Sequence, residues 1–354
     1  RIAPWSLLEY RRLLVTPYLL TALTAGHIAA FATRLLSMEL AEGRRAMGVF
    51  EKVVAGLVAV ALLGCVGAAP VRNAPIADTH DVRVLQRCAK SIVSSSRARI
   101  DSGTTAWILI DNGLGNHIRT AAARAGVPVE VIDMRRARND VYMRYVASLF
   151  DDPRHKNLAG IGLSTLLNAG FAADGFLVDK AAIVAGPDLW MRSGRHPVPD
   201  GLVFVGVPST RTIDVDALRR RQEDLWDDVV DDLRVATRSP CETDPVSGLA
   251  YQLLRHCSLV ANNLGVLFED LGQVQDAVAM YGRAREILPA NISALLNLKR
   301  LLDAGTPMKD AAGIRDDFAR LKENRRAQRN IMALSVLYGY VREPRAFSGI
   351  ARIW

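Results

Sequence analysis

SLVANNLGVLFEDLGQVQDAVAMYGRAREILP, residues Ser258–Pro289, is the stretch on which the reading of the fold turns. Gly265 and Ala277 are small where two antiparallel helices would cross closely, and Phe268 and Tyr281 are bulky enough to fill the gap between them. Leu271-Gly272 ends the first helix, because glycine takes the left-handed C-cap backbone at little cost. Pro289 ends the second, since it lacks the N–H that would continue the ladder. The spacing predicts a helical hairpin.

Leu264-Gly265, Phe268, Ala277, Tyr281, Ala284 and Pro289 also stand in the order of a tetratricopeptide repeat, whose frame is about 34 residues. The chain resembles that family here, with Ala261 where the family carries an aromatic residue. One such hairpin cannot bury both its faces, so neighbours are required. A degenerate second frame from Ile292 supplies Leu295, Leu298, Leu302, Ala311 and Phe318, with Thr306-Pro307 opening its second helix. A third hairpin is read from Ile331 to Tyr340, a turn at Glu343-Pro344, and Ala346 to Trp354. The resemblance implies a concave partner-binding face showing Asn262, Val266, Asn297 and Arg300. That set is not the family's carboxylate clamp, so capture of a peptide C-terminus is not expected.

Upstream, the pattern changes. Trp107–Asp111 (WILID) reads as a buried strand, NGLGN as a tight turn, His117–Ala125 as a helix and Val129–Met134 (VEVIDM) as a second strand. A strand-helix-strand unit closes right-handed into a parallel sheet. Ala181–Ala185 and Leu202–Val207 supply two further short apolar runs, which makes a small parallel-sheet α/β domain of about four strands. Helices are read at Asp81–Ser94, Val141–Phe150, Leu158–Asn168 and Asp214–Thr237. The last carries Glu223, Asp224, Asp227, Asp228, Asp231 and Asp232 largely on one side, which is read as a solvated face and not a calcium loop.

In the NGLGN turn, Gly113 and Gly115 would let backbone amides approach a phosphate at the helix N-terminus. Asp111 closes the strand, and Asp133 lies at the distance where a carboxylate holds a ribose hydroxyl. Asp111, Gly113, Gly115 and Asp133 are therefore the candidate cofactor-binding residues. Ile118 stands where a third glycine belongs, so the alternative is a structural turn with Asn116 capping the helix. No cofactor is assigned on this pattern, and no metal-ligand spacing of Cys and His is present.

Two apolar runs precede this region. Residues 13–36 are uncharged from Leu13 to Thr33, apart from His27, and residues 53–71 are uncharged throughout. Each has about the length needed to cross a ~30 Å hydrocarbon core. The expected fold class is thus α/β plus all-α: two transmembrane helices in 1–71, an α/β domain in 72–240 and tetratricopeptide-like hairpins in 241–354. Arg34, Arg44, Arg45 and Lys52 crowd the short loop between the spans, which places the rest outside the cytoplasm. A rival reading takes Met47 onward as a signal peptide ending in a Leu62-Leu63-Gly64-Cys65 lipoprotein box, with the same outcome. The net charge of +8 is spread among interspersed acidic residues, without aromatic interleaving, so nucleic acid is not an expected partner. Cys241 and Cys257 could pair in an oxidising compartment.

In order along the chain, the spans, the Asp111–Gly113 strand end, VPVEVIDM, GLVFVGVP and the helical repeats resemble the C-terminal part of a C-type membrane glycosyltransferase of the protein O-mannosyltransferase kind. The resemblance implies a polyprenyl-phosphate sugar donor. It implies no catalytic residue here, because Asp111 stands alone where the family has an Asp-x-Asp pair and the family's catalytic carboxylate belongs to an earlier loop. The expected function is a membrane-anchored, extracytoplasmic protein-interaction platform with lipid and a protein or peptide as partners. The alternatives are the non-catalytic end of such a transferase and a nucleotide-binding enzyme. No complete active site is legible.

Overall fold

Ala106–Ile110 is buried at every position, as befits a strand covered on both faces. It forms one of the three inner strands of a five-stranded sheet in a computed structural model that describes residues 80–97, 104–209, 213–238, 245–323 and 337–342. The chain divides into compact units at Arg1–His80 and Asp81–Trp354, and the α/β part and the helical array both lie in the second.

That unit opens with α1 (His80–Arg97), whose Val84, Leu85, Cys88, Ala89, Ile92 and Val93 form one buried stripe. Then come β1 (Ala106–Ile110), α2 (Gly115–Ala125), β2 (Val129–Asp133) and a short 3-10 turn at Met134–Arg136. Three helices follow, α3 (Asp140–Ser148), α4 (Pro153–Ile161) and α5 (Leu163–Gly170); Gly162 separates the last two where one helix was expected from Leu158 to Asn168. Next are β3 (Ala181–Val184), α6 (Asp188–Arg192), β4 (His196–Asp200), β5 (Val203–Val207) and α7 (Val215–Ala236). The array contains α8 (Pro245–Asp270), α9 (Val274–Ile287), α10 (Ile292–Asp303) and α11 (Ala311–Glu323).

The strand order is β2-β1-β3-β5-β4. β1 runs parallel to both β2 and β3, but β5 is antiparallel to β3 and to β4, so the sheet is mixed and the expected all-parallel sheet is corrected. The reason is connection length: β4 and β5 are joined by Gly201-Leu202 alone, with Gly201 at φ 63°, and so short a link permits only a hairpin. The strand that sequence reading missed is β4, HPVPD, whose two prolines suggest a loop. They are tolerated because β4 is an edge and Pro197 and Pro199, two apart, turn their N–H-less nitrogens to one side. Close packing holds this hairpin down. A Cβ on Gly206 would lie 2.3 Å from the Trp190 ring, whose indole N–H donates to the Phe204 carbonyl at 3.1 Å.

α7 buries Leu218, Trp226, Val229 and Leu233, and turns its carboxylates outward. Some are paired: Arg87 of α1 meets Asp228 and Asp232, and Arg283 of α9 meets Asp227 at 2.9 Å.

The predicted spans at 13–36 and 53–71 lie outside the described residues. Among the described residues no helix is long and apolar enough to cross a membrane. The longest, α8, has 26 residues but carries Gln252, Arg255, His256, Asn262, Asn263, Glu269 and Asp270 along its length. The expected transmembrane fold class and membrane, extracytoplasmic localisation are corrected accordingly: the described fold is a mixed α/β sheet with a helical array.

Within 258–289, α8 and α9 pack on one another, joined by Leu271–Gln273 with Gly272 at φ 78°. Gly265, Phe268, Ala277, Tyr281 and Ala284 are all buried at the crossing. α8 also extends back to Pro245, and this first half lies against the sheet: His256 Nε2 hydrogen-bonds the Leu202 carbonyl at 2.8 Å, and Leu249 covers Gly113. The second repeat frame becomes α10 and α11, though α11 begins at Ala311 and not at Thr306-Pro307. Of the third expected hairpin, only 337–342 is described. Leu337 and Tyr338 are helical, and Gly339 at φ 95° departs from that conformation.

Candidate functional site

Two places gather polar side chains, and α8 borders both. The first is the crevice where β1 and β3 end. β2 and β3 lie on opposite sides of β1, so successive connections leave in opposite directions there, and open α/β sheets bind ligands at such switch points. A cavity of about 60 Å³ sits at this spot, bounded by Asp111 and Asn112 after β1, Ala185 and Gly186 after β3, and Gln252, Arg255 and His256 of α8, with Leu337 closing one side.

The four candidate cofactor residues do not converge on it. Asp111 lines the cavity and is exposed. Gly113 faces the Leu249 side chain, which stands 3.6 Å from where its Cβ would be. Gly115 serves close helix-sheet packing, since a Cβ would lie 3.1 Å from Ile110 and 3.7 Å from Val131. Asp133 is buried and engaged by its own turn: it accepts from the Arg135 backbone at 3.1 Å and side chain at 2.8 Å, and lies 3.3 Å from Arg136. The NGLGN turn is stabilised by Asn112, whose Oδ1 accepts from the Leu114 N–H at 3.0 Å, in place of the expected Asn116 cap.

Burial holds the His256 imidazole below its ordinary pKa. A base depressed in the folded state takes up a proton more readily on unfolding, so this site's contribution is full above about pH 6.5 and is lost as pH falls below it. Chemical denaturation at pH 7.5 and 5.5 should show a loss of stability that His256→Gln reduces; an unchanged difference in the variant would refute the assignment. The two thiols among the described residues offer no nucleophile: burial pushes Cys257 up to about 12 and Cys88 well above its usual value, and both are free.

The second place is the cleft between α8 and α10, and it holds the non-helical stretch Gly339–Arg342. Three asparagines grip this backbone, and a fourth holds Tyr338 just before it. Asn263 Oδ1 accepts from the Tyr340 N–H at 2.9 Å. Asn262 and Asn297 both donate to the Tyr340 carbonyl, at 3.0 and 2.9 Å. Asn297 Oδ1 then accepts from the Arg342 N–H at 2.8 Å, and its amide also donates to Asn262 at 3.0 Å. Asn291 donates to the Tyr338 carbonyl at 3.3 Å and to Ser258 Oγ at 2.8 Å, while its own oxygen caps α10 through the Ala294 N–H. Asn262, Asn291 and Asn297 have no exposed surface. Carboxamides suit this task because each offers both donor and acceptor to a peptide unit.

Side chains of the held segment meet specific partners. Arg342 pairs with Asp270, and its Nε lies 3.5 Å from Glu269. Glu269 is itself fixed by Arg300 and by the Tyr281 hydroxyl at 3.0 Å. The Tyr340 hydroxyl donates to Asp188 of α6 at 3.3 Å, and Val341 is buried. At Gly339 a Cβ would meet the Asn262 amide nitrogen at 2.6 Å, on top of the positive φ.

Of the candidate partner residues, Asn262 and Asn297 touch the segment, Arg300 reaches it through Glu269, and Val266 is half-buried on the same helix. Asn263, Asn291, Glu269, Asp270 and Asp188 were missed. Asn291 is the one with a local signal, since Asn before Ile292 reads as a helix cap. Comparison with protein families, curated proteins and solved structures gives no match for this chain.

Proposed function

We propose that the α8–α10 cleft is a peptide-binding groove and that the chain serves as a protein-interaction platform. The observation that carries this reading is the grip on Tyr340, whose N–H and C=O are both taken by buried asparagine side chains. Contacts to backbone are indifferent to sequence, so side chains able to hold one stretched segment can hold others. Substituting Gly339→Ala releases the resident segment, by clash with Asn262 and by its positive φ, and frees the groove for assay. Peptides selected from a random displayed library on that variant should bind saturably by fluorescence anisotropy. Adding Asn262→Ala and Asn297→Ala removes three hydrogen bonds to the ligand backbone and should weaken them about a hundredfold. Binding unaffected by the two alanines would overturn the reading.

The switch-point cavity favours a second reading, in which a small polar ligand seats between the ends of β1 and β3 beside Asn112 and His256. A dinucleotide whose binding is lost in Asn112→Leu would support it.

A further inference from the structure

From the chemistry of the segment seated in the cleft, we infer that the groove is selective and that its partner is a flexible stretch of another protein reading Gly-Tyr-x-Arg. This rests on the peptide-groove reading and adds the identity of the ligand's side chains. Each position of the motif answers a feature of the groove. The glycine is required because the Asn262 and Asn263 amides leave no room for a Cβ and because the backbone there has φ 95°. The tyrosine supplies the peptide unit gripped on both sides and places its hydroxyl against Asp188, a residue of the α/β part. The third position is spanned by the Tyr340 carbonyl and Arg342 N–H contacts; the asparagines read nothing of its side chain, but Val341 is buried there, so x is an apolar residue. The fourth places a cation between Glu269 and Asp270. A lysine there would lose the fork that lets a guanidinium meet two carboxylates at once. The chain's own Gly339–Arg342 is thus a resident competitor that a partner must displace, and because Leu337 borders the switch-point cavity, displacement also opens that cavity.

The test uses the full chain and a synthetic peptide of sequence LYGYVR, which repeats residues 337–342. The Gly339→Ala chain should bind the peptide at least about tenfold more tightly than the unaltered chain, because the competitor has been weakened. Replacing the peptide's glycine by alanine, or its arginine by glutamate, should each weaken binding about tenfold or more. The arginine-to-glutamate peptide should recover affinity on a chain carrying Asp270→Arg, an exchange that a merely sticky groove would not reward. If library peptides bind through the asparagines but LYGYVR is not preferred, the motif is overturned and the groove stands. If no peptide of either kind binds, the groove reading falls and the motif with it. If sedimentation shows a dimer that Gly339→Ala dissolves, the occupant is a second copy's own segment and the proposed foreign partner is overturned.

Discussion

Gly265→Leu should unfold the array more readily than any surface change, with a stability loss of about 3 kcal/mol or more. Even the first carbon of a side chain at 265 would lie 2.6 Å from two atoms of the Tyr281 ring. Tyr281 cannot step aside: it is fully buried, and its hydroxyl is held by Glu269 at 3.0 Å. Burial and the neighbouring Glu269 carboxylate raise its pKa, so the phenol stays neutral at any working pH. The helices must therefore separate where they cross. For a unit of this size the midpoint of thermal unfolding should fall by roughly 10 °C. Gly282→Leu is the matched control, because nothing lies within 4 Å of the Cβ it would add. Equal midpoints for the two variants would refute the crossing-point role of Gly265.

The second large effect is expected at Asn291. Its side chain has no exposed surface and serves two purposes: the oxygen accepts from Ala294 N–H at 2.9 Å to cap α10, and the amide donates to Ser258 Oγ, Ser258 O and Tyr338 O. Asn291→Leu removes the cap, worth about 1 kcal/mol, and leaves those acceptors short of a donor, for a total of about 2–4 kcal/mol. Asn291→Asp discriminates the two purposes. It keeps the cap acceptor but sets a carboxylate oxygen against the same acceptors, so it should destabilise as much as leucine does. Urea unfolding in which the aspartate variant matches the unaltered chain would reduce Asn291 to a cap alone.

The helical hairpin was legible because its determinants are local and steric: a glycine and an alanine at crossing points, a glycine turn, a proline stop. The strands at 106–110, 129–133, 181–184 and 203–207 were legible as short apolar runs. β4 was not, because Pro197 and Pro199 are acceptable only on an edge, and edge position is a property of the assembled sheet. The same distinction governs the site. Asn262 and Asn297, on different helices, could be placed on a common face by the resemblance to a tetratricopeptide repeat. Asn263 could not, since adjacent residues on a helix point apart, and only a segment lying across both directions recruits the pair. That the segment should be Gly339–Arg342 is a long-range fact, written 77 residues away from Asn263. The glycine-rich turn shows the same distinction from the other side: Gly113 and Gly115 match a phosphate loop locally, while Leu249 from a distant helix covers one and Ile110 presses on the other.

α8 is a single unbroken rod of 26 residues, and its two ends do different jobs. Its front half roofs the β-hairpin through His256 and Leu202, and its back half is one rail of the groove. A joint made this way has no linker to bend, so the two parts share orientation and should melt together as one cooperative body.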